Sequence, residues 1–262
     1  MSVTLSKRMQ MNASLVPDGS RVADIGCDHG KLAVYLIEKN IATHVIASDI
    51  GEGPLGRAVT TVNEAGLTDK IDLRLADGAK GIKRNDEGAP EVDVIVMAGI
   101  GGMLALDIVR DSIDIYRDID CFVIQAQSNI DVLRSTMDEL GFAIIDEDMV
   151  YEDGKFYTAI KYRYSAKTDD VTHVSYITYE GDRPQYHGSL SEAELLYGPL
   201  LISKSHNVLH EMLMRDKEKY EGILKDLSAK DDLSDRTGNR IEDITHRIEL
   251  VRGLLNREWR LH

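Results

Sequence analysis

Arg21-Val-Ala-Asp-Ile-Gly-Cys-Asp-His-Gly-Lys31 is the stretch around which the chain is organised. Val22-Ala-Asp-Ile25 reads as a short buried strand, and Gly26 to Gly30 turns tightly into an amphipathic helix over Lys31 to Lys39. Glycines let a backbone approach a ligand closely, and a helix N-terminus offers unpaired N–H groups to polar or anionic atoms. Asp24 adds a carboxylate just before the loop. This is a strand–loop–helix cradle, and the rest of the chain bears on which ligand it holds.

Outward from the cradle, apolar segments alternate with helical ones. His44–Asp49 is a second strand ending in a carboxylate, followed by a helix over Glu52–Ala65. Ile71–Ala76 is a third strand, ending at Asp77-Gly78. Val92–Ala98 is the most apolar strand and runs into Gly99-Ile-Gly-Gly102 and a helix through Arg110. Cys121–Gln125 is a fifth strand, with a helix over Ile130–Leu140 after it. Phe142–Tyr151 and Phe156–Tyr164 read as a terminal β-hairpin. This order predicts an α/β fold with a doubly wound, Rossmann-like sheet of seven strands, of the class I methyltransferase type. Asp24, Gly26, Asp49, Asp77, Gly99 and Gln125 then fall at the carboxyl ends of strands, where such sheets bind ligands.

Before the cradle, Leu5–Val16 has helical spacing and stops at Pro17-Asp-Gly19. Met97 and Met103 read as core. Past the hairpin, residues 165–190 are polar, with one short strand near Val174–Tyr179. From Ser191 the chain is helical, and Ile241, Ile244, Ile248, Val251 and Leu255 form a heptad-like seam. Leu209, Leu213, Tyr220, Leu224 and Leu227 form a second seam, interrupted by Asp216. A break over Leu233–Asn239 would make these two helices an antiparallel, coiled-coil-like hairpin. The expected domains are 1–165, catalytic, a connection over 166–190, and a helical domain over 191–262.

The 262 residues are 43% hydrophobic and 29% charged, which fits a globular protein. No apolar run is long enough for a membrane span, and no apolar leader is present, so a cytoplasmic protein is expected. Cys27 and Cys121 do not make a disulfide framework. The net charge of −14 at first opposes a polyanionic partner. However, residues 200–262 carry 12 basic and 12 acidic side chains, so the excess of acid lies in residues 1–199.

A dinucleotide fingerprint needs Gly-x-Gly-x-x-Gly, and here Asp28 occupies the place of the second glycine, where it would repel a pyrophosphate. S-adenosylmethionine carries instead a sulfonium, an ammonium, a ribose diol and an adenine, and acidic groups suit most of these. Asp24 and Asp28 suit the cationic end, with Gly26 and Gly30 in the loop. Asp49, with Ile50 beside it, suits the ribose, and Asp77 with Gly78 suits the adenine. Each aspartate taken alone also fits a turn or N-cap. Ala98, at the end of the fourth strand, is expected against the cofactor as well, and the glycine-rich run from Ala98 and Gly99 to Gly102 offers a floor on which a flat base can lie. His29 reads as a base, a metal ligand or a plain loop residue, and no partner at metal-ligand spacing is near it, so no metal is expected. Cys27 reads as a packing group.

The chain resembles the bacterial tRNA (adenine-22-N1)-methyltransferases. The resemblance is carried by Leu5-Ser-Lys-Arg8, Ala23-Asp-Ile-Gly-Cys-Asp-His29, Ala98-Gly-Ile-Gly-Gly102, Glu152-Asp-Gly-Lys155 and Tyr197-Gly-Pro-Leu200. It departs at Gln125-Ala-Gln127, where Gln-Pro-Asn is usual, and at Gly30-Lys31, where many members have Ala-Tyr. The resemblance implies S-adenosyl-L-methionine as cofactor and tRNA as substrate, methylated at N1 of an adenine in the D-arm. Gly99, as the floor, Asp28, whose charge favours a positive base, and His29 are then the candidates for the reacting centre, and Lys7, Arg8 and Gln125 those for contact with the substrate. N1 has an available lone pair and lies on the pairing edge, so catalysis there needs an unpaired, well-oriented base more than a strong general base. Two other readings stay open: a methyltransferase for another RNA or a small molecule, and a non-catalytic RNA- or nucleotide-binding module. The oligomeric state is open, with a monomer favoured.

Overall fold

The computed structural model describes residues 3–165, 176–180, 183–187, 189–229, 235–257 and 259. They fall into two compact units, 1–191 and 192–262.

The first unit begins with helix α1 (Lys7–Ser14), shorter than the Leu5–Val16 periodicity suggests because the Ser6 side chain accepts the Met9 N–H and caps it. Strand β1 (Ser20–Ile25) leads through the cradle into α2 (Lys31–Glu38). There follow β2 (Ala42–Asp49), α3 (Glu52–Ala65), β3 (Ile71–Leu75), β4 (Val94–Ile100), α4 (Gly102–Asp111) and a short α5 (Ile113–Asp118) that the sequence reading did not anticipate. Then come β5 (Cys121–Ala126), α6 (Ile130–Glu139), β6 (Phe142–Glu152) and β7 (Lys155–Tyr164). The sheet order is β3-β2-β1-β4-β5-β7-β6, with β1 to β5 parallel and β7 antiparallel to both β5 and β6. The chain reverses its winding between β1 and β4, which opens a crevice at their carboxyl ends.

Alternation along the strands builds two cores. Val22, Val45, Val94, Val96 and Val123 face α1, α2 and α3, burying Leu32, Leu36, Ala58 and Val62. Ala23, Ile25, Ile95, Met97, Phe122 and Ile124 face α4, α5 and α6, burying Leu106, Val109, Tyr116 and Met137. Met97 is core as expected. Met103 is not: it is 46% exposed, because α4 turns that position away from the sheet. The Arg134–Glu147 ion pair, 2.9 Å long and almost fully buried, ties α6 to β6.

Beyond the sheet, β8 (Tyr176–Glu180) pairs antiparallel with β9 (Arg183–His187). The sequence reading foresaw one strand near Val174–Tyr179; Val174 and Ser175 lie outside the described residues, and β9 is additional.

The second unit holds α7 (Glu192–Tyr197), α8 (Pro199–Ser203), α9 (Asn207–Ser228) and α10 (Asp235–Leu255). Glu221 of α9 pairs with Arg252 of α10 at 2.8 Å, and His210 early in α9 meets Trp259 beyond the end of α10, so the two helices run antiparallel. Ile244, Ile248 and Val251 are buried as the seam requires, but Leu254 is buried where Leu255 was expected. Of the proposed break, Leu233 and Ser234 lie outside the described residues, and 235–239 is already helix, so helix resumes earlier than expected. Asp216 interrupts the α9 seam by accepting the Tyr197 hydroxyl at 3.2 Å.

Candidate active site

The crevice holds a cavity of about 430 Å³ between the ends of β1 and β4 and the N-terminal segment. Asp24, Gly26, Asp28 and His29 line it from the cradle, and Ala98 and Gly99 from β4. Arg8 closes one side from α1, and Gln127 another from the loop after β5.

The cradle is tied down from beneath by Ser48, whose carbonyl accepts the Gly26 and Cys27 N–H groups at 2.8 and 3.0 Å. Gly26 has φ +75°, and the space where a Cβ would stand is empty for 4 Å, so backbone here is open to a ligand. Asp24 is 3% exposed, and its Oδ2 has no hydrogen-bond partner. Burial, and then the nearby charge of Asp49, raise its pKa from 3.8 to about 7. An orphaned buried carboxylate at a cavity wall is costly unless a cation or donor meets it. Cys27 is buried and its thiol is pushed well above the ordinary range, chiefly by burial, which removes it as a nucleophile.

On the opposite wall the β4–β5 register shifts between Ala98 and Ile100, leaving Gly99 as a bulge with φ +78°. A bulge re-aims the chain at a sheet rim. The Gly99 N–H donates to Gln125 Oε1 at 3.1 Å, and Arg8 Nη1 donates to the same oxygen at 3.1 Å. Arg8 also lies over the Tyr157 ring, 5.2 Å from its centre. Glu152, at the hairpin turn, accepts the Lys7 N–H at 2.6 Å and the Arg8 N–H at 3.3 Å, which anchors the start of α1 beside the cavity.

Several expected site residues do not line this cavity, or meet protein partners there. Gln125 is fully buried with its Nε2 bonded to the Ala126 carbonyl, so it holds Gly99 and Arg8 and does not itself face the cavity; Gln127 does. Lys7 contributes its backbone to the Glu152 cap, and its side chain does not line the cavity. Gly30 starts α2 with φ +66°, and a Cβ on it would meet Ala58 Cβ at 3.0 Å, so it serves helix packing. Asp49 accepts the N–H groups of Gly51 at 2.9 Å and Asp28 at 3.3 Å, on the rim outside this cavity. Ile50 beside it is 73% exposed. Asp77 pairs with Lys80 at 2.6 Å, and Gly78 packs against Ile108, both away from the cavity. Asp28 does not stand as a free charge, since Arg57 Nη2 lies 2.6 Å from its Oδ1. Arg57 and Gln127 were not singled out from sequence as site residues: nothing local to Arg57 signals a partner 29 positions earlier.

Among the described residues no group of His, Cys, Asp or Glu is arranged to hold a metal ion, and no helix is long and apolar enough to cross a membrane.

This strand order, with an acidic, glycine-lined cavity at its switch point, defines a class I, Rossmann-like methyltransferase. The chain belongs to the methyltransferase-domain family, whose model matches residues 5–160. It is 28% identical over 253 residues to the tRNA (adenine(22)-N(1))-methyltransferase of Bacillus subtilis, covering 96% of this chain and 97% of the relative. The crystal structure of the B. subtilis m1A22 tRNA methyltransferase TrmK matches 97% of this chain and all of its own at 26% identity, with a TM-score of 0.75. That of Streptococcus pneumoniae Sp1610 in complex with S-adenosyl-L-methionine matches over the same shares at 26% identity, with a TM-score of 0.76.

Proposed function

We propose that this protein methylates N1 of adenine 22 in the D-arm of tRNA, with S-adenosyl-L-methionine as the methyl donor, acting as a monomer in the cytoplasm. The observation that carries the reading is Asp24: a buried carboxylate with an unpartnered oxygen at the wall of a cavity whose other wall is the bulged Gly99. The similarity to the B. subtilis enzyme over nearly the whole of both chains supports the substrate.

Asp24 and the open backbone of Gly26 suit the ammonium end of the cofactor, while Asp49, Ile50, Asp77 and Gly78 on the neighbouring strand ends suit its ribose and adenine. S-adenosylmethionine supplies, when bound, an electrophilic methyl group on a positively charged sulfur. Ala98 and Gly99 give the target base a floor with no side chain in the way, and Gln125 fixes the Gly99 peptide beneath it. Arg8, braced by Gln125 and Tyr157, is available at the wall for the base or an adjacent phosphate, and Lys7 for the RNA backbone. His29 lies at the same mouth. Asp28, paired with Arg57, gives a developing cation less help than its formal charge suggests. These residues orient and desolvate a neutral base that already carries a lone pair; no general base is required.

The test is incubation with S-adenosylmethionine and bulk tRNA, then digestion and mass spectrometry. N1-methyladenosine is expected, with a reverse-transcription stop at position 22 and conversion to the N6 isomer on alkaline heating. Direct formation of N6-methyladenosine, or methylation of other RNA but not tRNA, would overturn the reading.

A further inference from the structure

The ion pair between Arg57 and Asp28 has entered so far only as a brake on the help Asp28 gives the base. Arg57 stands on α3, and Asp28 is in the cavity wall. α3 comes this close to the cradle because Gly30 leaves room for Ala58. Asp28 has φ +46°, a conformation few residues other than glycine adopt, and its N–H is directed at Asp49 Oδ2. Backbone and carboxylate are thus fixed from two sides, by β2 and by α3. His29 Nε2 lies 3.6 Å from the other carboxylate oxygen.

We propose that Arg57, by cancelling the charge of Asp28, sets how strongly the protein prefers S-adenosylmethionine over its demethylated product, S-adenosylhomocysteine. This rests on the cofactor reading above. The two ligands share the amino-acid end, the ribose and the adenine, and differ by one methyl group and one positive charge. Their relative affinity therefore reads the electrostatic potential of the cavity. Arg8 and Lys31 raise that potential from the cavity lining, and Asp24 and Asp28 lower it, with Asp49 just behind the loop. Arg57 offsets Asp28, so the wall carries one acidic charge fewer than the sequence suggests. Such a balance weakens the hold on the cationic ligand relative to the neutral one, and it leaves the product a stronger competitor.

The pair is about half exposed, 48% for Arg57 and 58% for Asp28, so water and salt screen it. A unit charge bared at such a place shifts relative affinity by about three- to tenfold at low ionic strength, and less as salt is added.

The experiment is calorimetric titration of the full chain with each ligand, at low and at physiological salt, in four variants and the unaltered protein. Arg57→Gln is expected to move the ratio of dissociation constants towards S-adenosylmethionine, and Asp28→Asn to move it towards S-adenosylhomocysteine. The double variant D28N/R57Q returns near the starting ratio, and Arg57→Lys holds it. Both ligands binding with an unmoved ratio in Arg57→Gln and Asp28→Asn would overturn the role of Arg57 and leave the cofactor reading standing. Neither ligand binding to the unaltered protein would overturn both.

Discussion

The buried side-chain oxygen of Gln125 accepts the backbone N–H of Gly99 at 3.1 Å, so the end of β5 sets the peptide at which β4 bulges. The same oxygen receives Arg8, which links the cavity floor to its wall through one amide. Gln125→Leu would leave both the N–H of the exposed Gly99 and the Arg8 guanidinium without this acceptor. The expected cost is about 1–3 kcal/mol of stability, measured by chemical denaturation. A change below about 0.5 kcal/mol, the range of an ordinary surface substitution, would show that water replaces the amide.

Gly99 itself tolerates little. A Cβ there would stand 3.0 Å from Arg8 Nη1, on a backbone with φ +78°. Gly99→Val therefore both strains the bulge and displaces Arg8. Methylation of tRNA should fall by about a hundredfold or more, as displacement of a reacting group by roughly 1 Å does. Affinity for the cofactor should stay within a few-fold, because Asp24 and Gly26 are on the other wall. Full turnover in Gly99→Val would place the target base elsewhere.

Asp24 makes cofactor binding depend on pH. Its folded pKa is raised to about 7, so in the unliganded protein it favours stability below the ordinary value of 3.8 and loses that contribution as pH rises through about 7. The cationic ligand needs the charged form. Its affinity should therefore rise with pH up to about 7 and level off above, by at most about tenfold per unit. Asp24→Asn should flatten the profile and weaken binding by about tenfold or more. Calorimetry between pH 5.5 and 8.5 checks this, and an affinity independent of pH would show that Asp24 does not meet the ligand's charge.

Much of this was legible because a parallel sheet writes itself as apolar runs that end in Asp or Gly. β1 to β7 were each located to within two or three residues, and α3 to the residue. Local pattern cannot show which strand-end groups converge. Asp24 and Gly99 share one cavity, while Asp77, equally placed in sequence and proposed above for the adenine, lies outside that cavity with Lys80 at 2.6 Å. Gln125 looks like a ligand-facing amide in sequence, and only the register of β4 against β5 shows that it points at a bulge. β9 contains Pro184 and polar residues, which hide it from a pattern that seeks alternation.

Glu152 is 145 positions from Lys7 and still caps α1. Burial works against its ionisation, but the N–H groups of Lys7 and Arg8 hold its carboxyl below the usual range. Its stabilising effect is therefore present above the ordinary carboxylate pKa and is lost as pH falls through the lowered value. Glu152→Gln weakens both bonds. Amide exchange at Lys7 and Arg8 should quicken, and tRNA methylation should fall more than cofactor affinity. Unchanged exchange would mean that Ser6 alone suffices as the cap.

The helical unit gives the last test. Residues 192–262 form a compact unit, and the described residues that line the cavity, Thr4 to Gln127, all belong to the first unit. Residues 200–262, the larger part of that unit, carry 12 acidic and 12 basic groups, whereas residues 1–199 carry 33 acidic against 19 basic groups. A polyanion is repelled by the first part of the chain at long range and less so by the second. Removal of residues 192–262 should then leave cofactor affinity within about twofold, since the charge-assisted contacts assigned to the ligand remain. Affinity for tRNA should fall strongly, and the salt dependence of what remains should flatten as phosphate contacts are lost. Both quantities come from one preparation, calorimetry for the cofactor and filter binding across a salt series for the tRNA. Retention of full tRNA affinity with an unchanged salt slope would assign RNA binding to residues 1–191, and leave the helical unit a structural appendage.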